Sequence, residues 1–123
     1  MDFYTNVCRT RDKILITGYQ GNKKQKLSVA YRPKHFVPSK KGDTAHRSLD
    51  GKPLEVVELN SMGGARKFRE QYAGTQGFEI HGYDRYIYTY IADKWPTEVE
   101  WDYNKVRIAT LDIECESENG FPE

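Results

Sequence analysis

The chain of 123 residues is long enough for one hydrophobic core and too short for two, because a domain of this size buries roughly two-thirds of its unfolded surface. Hydrophobic residues make up 37% and charged residues 30%, but sixteen aromatics, nine of them tyrosine, supply core material that disordered chains lack. The net charge of +1 conceals an asymmetry: residues 1–49 hold eleven Lys/Arg against three Asp/Glu (+8), and residues 50–123 hold eight against fifteen (−7).

No apolar run approaches the ~20 residues that span a bilayer, and the charged-then-apolar layout of a secretory signal is missing from the N-terminus. A cytoplasmic protein with no membrane partner is expected. Cys8 and Cys115 lie at opposite ends of the chain without C-x-x-C spacing, so neither a disulfide framework nor a zinc site is indicated. Cys8 is expected to pack as a small apolar residue.

Residues 3–9 and 13–19 are rich in β-branched and aromatic side chains and predict a hairpin. After the turn at Gly21-Asn22-Lys23-Lys24, Leu27, Val29 and Tyr31 alternate with polar residues until Pro33, which predicts a three-stranded meander. Lys23, Lys24, Lys26, Arg32 and Lys34 then fall near one edge. Pro38 to Asp43 reads as a loop and Asp50-Gly51 as a tight turn, with a strand over 54–59 continuing the sheet.

From Ser61, a competent N-cap, the period changes: Met62, Ala65, Phe68 and Tyr72 mark one face of a short helix ending near Gly74. Gly63-Gly64 lacks the G-x-x-x-x-G-K-[ST] context of a phosphate loop and reads as a weak first turn. Residues 78–81 are a short strand candidate. Residues 84–95 fit a strand by Tyr86, Tyr88 and Tyr90 but a helix by Ile87, Tyr90, Ile91 and Trp95; Asp84 as a cap and Pro96 as a stop favour the helix. A final strand is predicted over 105–115. These elements predict an α+β fold, mainly antiparallel sheet with two short helices.

In a strand, residues two apart share a face with Cα atoms roughly 6.5 to 7 Å apart, so Asp112 and Glu114 would project together. Paired carboxylates suit divalent cations, which take hard oxygen ligands. Alone, a D-x-E is weak, because it arises by chance about 0.4 times in a chain of this length. A solvated acidic strand end is the plainer reading of that pattern alone.

The longer string is more specific. Leu111-Asp112-Ile113-Glu114-Cys115 followed by Gly120-Phe121-Pro122-Glu123 resembles the first exonuclease motif of family B DNA polymerases. Tyr83-Asp84 and Tyr90-Ile91-Ala92-Asp93-Lys94 are similar to the stretch that precedes that motif. The opening Met-Asp-Phe-Tyr-Thr-Asn-Val, Tyr31-Arg32-Pro33 and Asp50-Gly51-Lys52-Pro53 are similar in order to the N-terminal domain of the T-even bacteriophage type.

The resemblance implies a DNA-directed DNA polymerase with 3'–5' proofreading exonuclease in an infected bacterial cytoplasm. Residues 1–103 would be an RNA-recognition-like N-terminal domain, and residues 104–123 the first strand of an RNase H-like exonuclease domain. It also implies that Asp112 and Glu114 are catalytic ligands of two Mg²⁺ or Mn²⁺ ions. Two such ions carry +4 against the −2 of these carboxylates, so further acids are needed. The family draws those from later segments, and the chain by itself is expected to be inactive.

The implied partners are template and primer DNA and the remainder of the polymerase chain. The five basic residues above, interleaved with Tyr19, Tyr31 and Phe36, suit phosphate contact on DNA or RNA. A lysine-rich edge protected from aggregation is the plainer alternative. A stand-alone nucleic-acid-binding α+β module without catalysis is the competing function, although the RNA-recognition signature is absent. His35, His46 and His81 lack metal-ligand spacing. Tyr86, Tyr88, Tyr90, Trp95 and Trp101 are expected to pack against a neighbouring domain, leaving aromatic surface exposed.

Overall fold

The computed structural model describes residues 1–42, 44–116, 118 and 120. Strands β1 (Phe3–Thr10), β2 (Lys13–Gln20) and β3 (Lys23–Ala30) form the expected antiparallel meander in the order β1-β2-β3. Both reversals use left-handed backbone, Arg11 at φ 47° and Gly21 at φ 58°, as tight hairpin turns demand. Ile14 and Ile16 are buried on one face of β2, opposite Val29 and Leu27 of β3. The β1–β2 register shifts between Tyr4 and Asn6, so Thr5 is an inserted bulge residue.

The strand predicted at 54–59 does not continue this sheet. Strand β3 ends at Ala30, paired with Lys13 at the start of β2; Pro33 beyond it is buried, has no N–H to donate, and its carbonyl accepts the Leu59 N–H at 2.9 Å. A second antiparallel sheet begins, formed by β4 (Lys34–Pro38), β5 (His46–Arg47) and β6 (Pro53–Glu58) in the order β4-β6-β5. Strand β4 escapes a reading of local sequence because prolines bracket it. Residues 78–81 form no strand; His81 makes a single antiparallel bridge to Phe36, with N–H to O distances of 2.8 and 2.9 Å.

Helix α1 (Met62–Tyr72) starts as expected at Ser61, whose Oγ accepts the Gly64 N–H at 2.9 Å. The Gly63 N–H is taken by Asp12 Oδ1 from the β1–β2 turn at 2.7 Å. The first turn of α1 is therefore filled by the chain's own side chains and is not an anion site. Helix α2 (Tyr86–Lys94) resolves the strand-or-helix ambiguity, but Asp84 does not cap it. Asp84 pairs instead with Arg69 of α1 at 3.0 Å, and Arg85 occupies the cap position without a side-chain bond.

The core joins Ile14 and Ile16 of β2, Met62 and Ala65 of α1, and Tyr86 and Tyr90 of α2. Two of the five aromatics assigned to a neighbouring domain are therefore core, because helical spacing turns Tyr86 and Tyr90 inward together. Tyr88 and Trp101 remain about half exposed, at 57% and 50%. Cys8 is exposed rather than packed, since it lies on the outward face of edge strand β1; Cys115 is also exposed, and both are free thiols.

The strand predicted over 105–115 is not formed. Tyr103–Lys105 makes one 3₁₀ turn, and residues 106–116 carry neither helix nor strand. A strand is stabilised by its ladder, and among the described residues none pairs with this segment. Among the described residues no helix is long and apolar enough to cross a membrane.

Candidate nucleic-acid and metal-binding residues

The five basic residues singled out from sequence divide into two groups. Lys24 and Lys26 stand opposite Tyr19 and Thr17, which places them on the face of the first sheet away from Ile14 and Ile16. By the same alternation Lys13 joins them, a residue that pattern reading alone did not select because the parity of the hairpin had to be known. Lys23, opposite Gln20 at the turn, has the other parity. Lys23, Lys24 and Lys26 are exposed, and among the described residues none has an ion-pair partner.

Arg32 and Lys34 lie differently. Arg32 pairs with Glu58 at 3.7 Å, and Lys34 stands directly opposite Glu58 in the β4–β6 ladder. One carboxylate thus offsets at most one of their two charges, and its ion pair is with Arg32. The positive charge of β2 and β3 is therefore carried by Lys13, Lys24 and Lys26 on one face, with Lys23 on the other.

Asp112 and Glu114 lie on the segment that leaves the fold after the 3₁₀ turn, and both are exposed. Their apolar neighbours are exposed too, Leu111 at 85% and Ile113 at 72%. Among the described residues no group of three His, Cys, Asp or Glu side chains is assembled as a metal site. Two carboxylates on an unpaired segment do not make the enclosed, multi-ligand cage that a pair of divalent ions requires. The residues present therefore do not fit a bound metal pair by themselves. The Phe121-Pro122-Glu123 part of the motif lies outside the described residues.

The fold also builds a buried polar cluster that sequence spacing did not reveal. His35 of β4 is fully buried; its Nδ1 faces the His81 carbonyl at 3.1 Å and its Nε2 faces the Tyr86 phenol at 2.8 Å. A carbonyl only accepts, so Nδ1 carries the hydrogen and Nε2 accepts from Tyr86. Burial lowers the His35 pKa below its ordinary value, with the Arg69 guanidinium adding to the effect and the His81 carbonyl opposing it. Burial raises the Tyr86 phenol as well. Close by, burial pushes Tyr31 up to about 12, and its hydroxyl donates to Asp93 at 2.8 Å. These groups hold β4, the 81–84 segment and α2 together; the His35–Tyr86 pair is buried and mutually satisfied while Tyr31–Asp93 lies at the surface, and the cluster is structural.

No protein-family model matches the chain. The chain is similar to the DNA-directed DNA polymerase of Escherichia phage RB69, with 28% identity over 124 residues that cover 99% of this chain and 14% of that polymerase. It thus spans a small part of the length of the curated relative it matches.

Proposed function

We propose that the chain is the N-terminal part of a family B DNA-directed DNA polymerase with 3'–5' proofreading exonuclease, of the T-even phage type. The observation that carries this reading is the similarity to a phage DNA polymerase along nearly the whole chain. The Asp112-Ile113-Glu114 string, with Gly120 to Glu123 after it, adds the exonuclease component. Residues 1–103 are the N-terminal domain and 104–123 the start of the exonuclease domain. The partners are template and primer DNA and the remaining polymerase chain, in the cytoplasm of an infected bacterium.

Within this reading Asp112 and Glu114 are the first pair of ligands for Mg²⁺ or Mn²⁺, and the remaining acids come from other segments. The role of this chain is to present the two carboxylates and to lay the lysine stripe of β3 against nucleic-acid phosphates. Because the ligand set is partial, the 123-residue chain should bind DNA without trimming it. Mg²⁺-dependent shortening of a primer by this chain, abolished by Asp112→Ala, would refute the partial-site reading. Reading the gene past Glu123 tests the parentage: further acidic exonuclease motifs and a palm aspartate motif are expected, and their absence overturns the polymerase assignment.

A further inference from the structure

Among the described residues β1 pairs with β2 alone, and its other edge is unevenly covered. The indoles of Trp95 and Trp101 donate to the carbonyls of Asp2 and Tyr4 at 3.1 and 3.0 Å, and the bulge at Thr5 follows. Past the bulge, Asn6 to Thr10 keep a regular register with β2. Alternate residues of that stretch therefore turn their N–H and C=O groups away from β2, toward an open edge.

Beside the edge runs an open groove of about 670 Å³ between β1 and α2, to which Val7, Ile87 and Ile91 give an aliphatic lining. Its charge is positive. Asp84, the one carboxylate in the lining, is held by Arg69 at 3.0 Å. Arg9 and Arg85 line the groove as well, and among the described residues neither has a carboxylate partner. The Arg9 guanidinium lies 5.8 Å from the centre of the Tyr86 ring, and its Nε donates to the Arg11 carbonyl at 3.0 Å, a bond that does not use the terminal nitrogens. Helix α2 opens on the groove at Arg85 and Tyr86 without a side-chain cap, so its first backbone N–H groups add to the positive potential.

Strand alternation sets what fits this surface. Val7 and Arg9 are two apart and both line the groove, whereas Cys8 between them does not. A segment added along β1 would place an apolar side chain against Val7 and, two residues along, a carboxylate at Arg9 and the start of α2. The planar fork of arginine binds a carboxylate through two parallel hydrogen bonds. Bases stack on aromatic rings and carry no backbone to complete a ladder, so an unpaired edge beside aliphatic side chains favours a peptide over a nucleic acid.

We propose that the β1 edge docks an extended acidic peptide of a partner protein by strand addition. An apolar residue of the peptide packs on Val7, Ile87 and Ile91, and an Asp or Glu two residues away meets Arg9 and Arg85. The inference goes beyond the polymerase reading and does not depend on it.

Amide NMR of the isotope-labelled whole chain at low salt tests it, with an end-capped heptapeptide of threonine carrying valine at its third and glutamate at its fifth position as the probe. Saturable shifts over 6–10 and 85–91 are expected, with amide exchange over 6–10 slowed. Replacing the peptide's glutamate by glutamine, or Arg9→Gln with Arg85→Gln in the protein, should each weaken binding about fivefold or more. Arg85→Gln alone, at an exposed position, should act in the same direction and serves if the Arg9 change perturbs the packing on Tyr86. N-methylation of the peptide amides that face β1 leaves its charge intact and should abolish binding. No saturable shifts up to millimolar peptide, equal affinity for the N-methylated peptide, affinity unchanged by the arginine variants, or a single-stranded oligothymidylate that occupies the groove where the peptide does not would each overturn the proposal.

Discussion

Lowering the pH through the range where an exposed imidazole titrates should destabilise this protein through a single buried ring. His35 is 0% exposed and neutral, with Nδ1–H committed to the His81 carbonyl and Nε2 accepting from Tyr86. Protonation would place a hydrogen on Nε2 against the Tyr86 hydroxyl and bury a charge facing Arg69, with Asp84 as partial compensation. Burial therefore keeps the folded-state pKa below the ordinary value of 6.5. The unfolded chain takes up the proton first, so the stabilisation is complete above about 6.5 and is lost as pH falls below it, until the native ring itself protonates. The steepest possible loss is one proton's worth, about 1.4 kcal/mol per pH unit. For a chain of 123 residues 1 kcal/mol corresponds to a Tm change of ~4 °C. Thermal unfolding of the wild type and of His35→Gln, followed by circular dichroism at several pH values from about 7.5 to about 5.5, measures the slope. The wild type should lose several degrees below about 6.5 and the variant should be less stable throughout but nearly flat. A wild-type profile without slope, or an equal slope in His35→Gln, would refute the reasoning.

Gly82 sits at φ +116°, and a Cβ there would lie 2.9 Å from His35 Nδ1. Gly82→Ala should cost on the order of 2 kcal/mol in urea unfolding, by backbone strain and displacement of the ring. If the β3 lysines contact phosphates, Lys24→Gln should weaken binding to single-stranded DNA across sequences and reduce the slope of log K against log salt by about 0.7. The same change at Arg32, already paired with Glu58, should alter that slope less.

Much of the local structure was legible from residue order. Alternation and turn residues are short-range signals, so the meander, its turns, the strand at 53–58, the Ser61 cap and both helices could be read from neighbours in sequence. The division into two sheets was less visible, because it depends on where β4 finds its partner; β6 lies some twenty residues further along, and its prolines concealed β4. The candidate site was legible as chemistry only. The Asp112-Ile113-Glu114 pattern named the carboxylates and the lysine run named the cations.

What the sequence determined by itself was the identity and spacing of the charged groups, since those are properties of the covalent chain. Which of them act together was settled by tertiary structure. The β1–β2–β3 register put Lys13 on one face with Lys24 and Lys26, and the β4–β6 ladder brought Glu58 to Arg32 and Lys34. The side-chain contact between β4 and α2 enclosed His35 with Tyr86, a pair 51 residues apart. The segment 106–116 shows the same limit from the other side: its amphipathic pattern suits a strand, but a strand exists only with a partner, and the described fold supplies none.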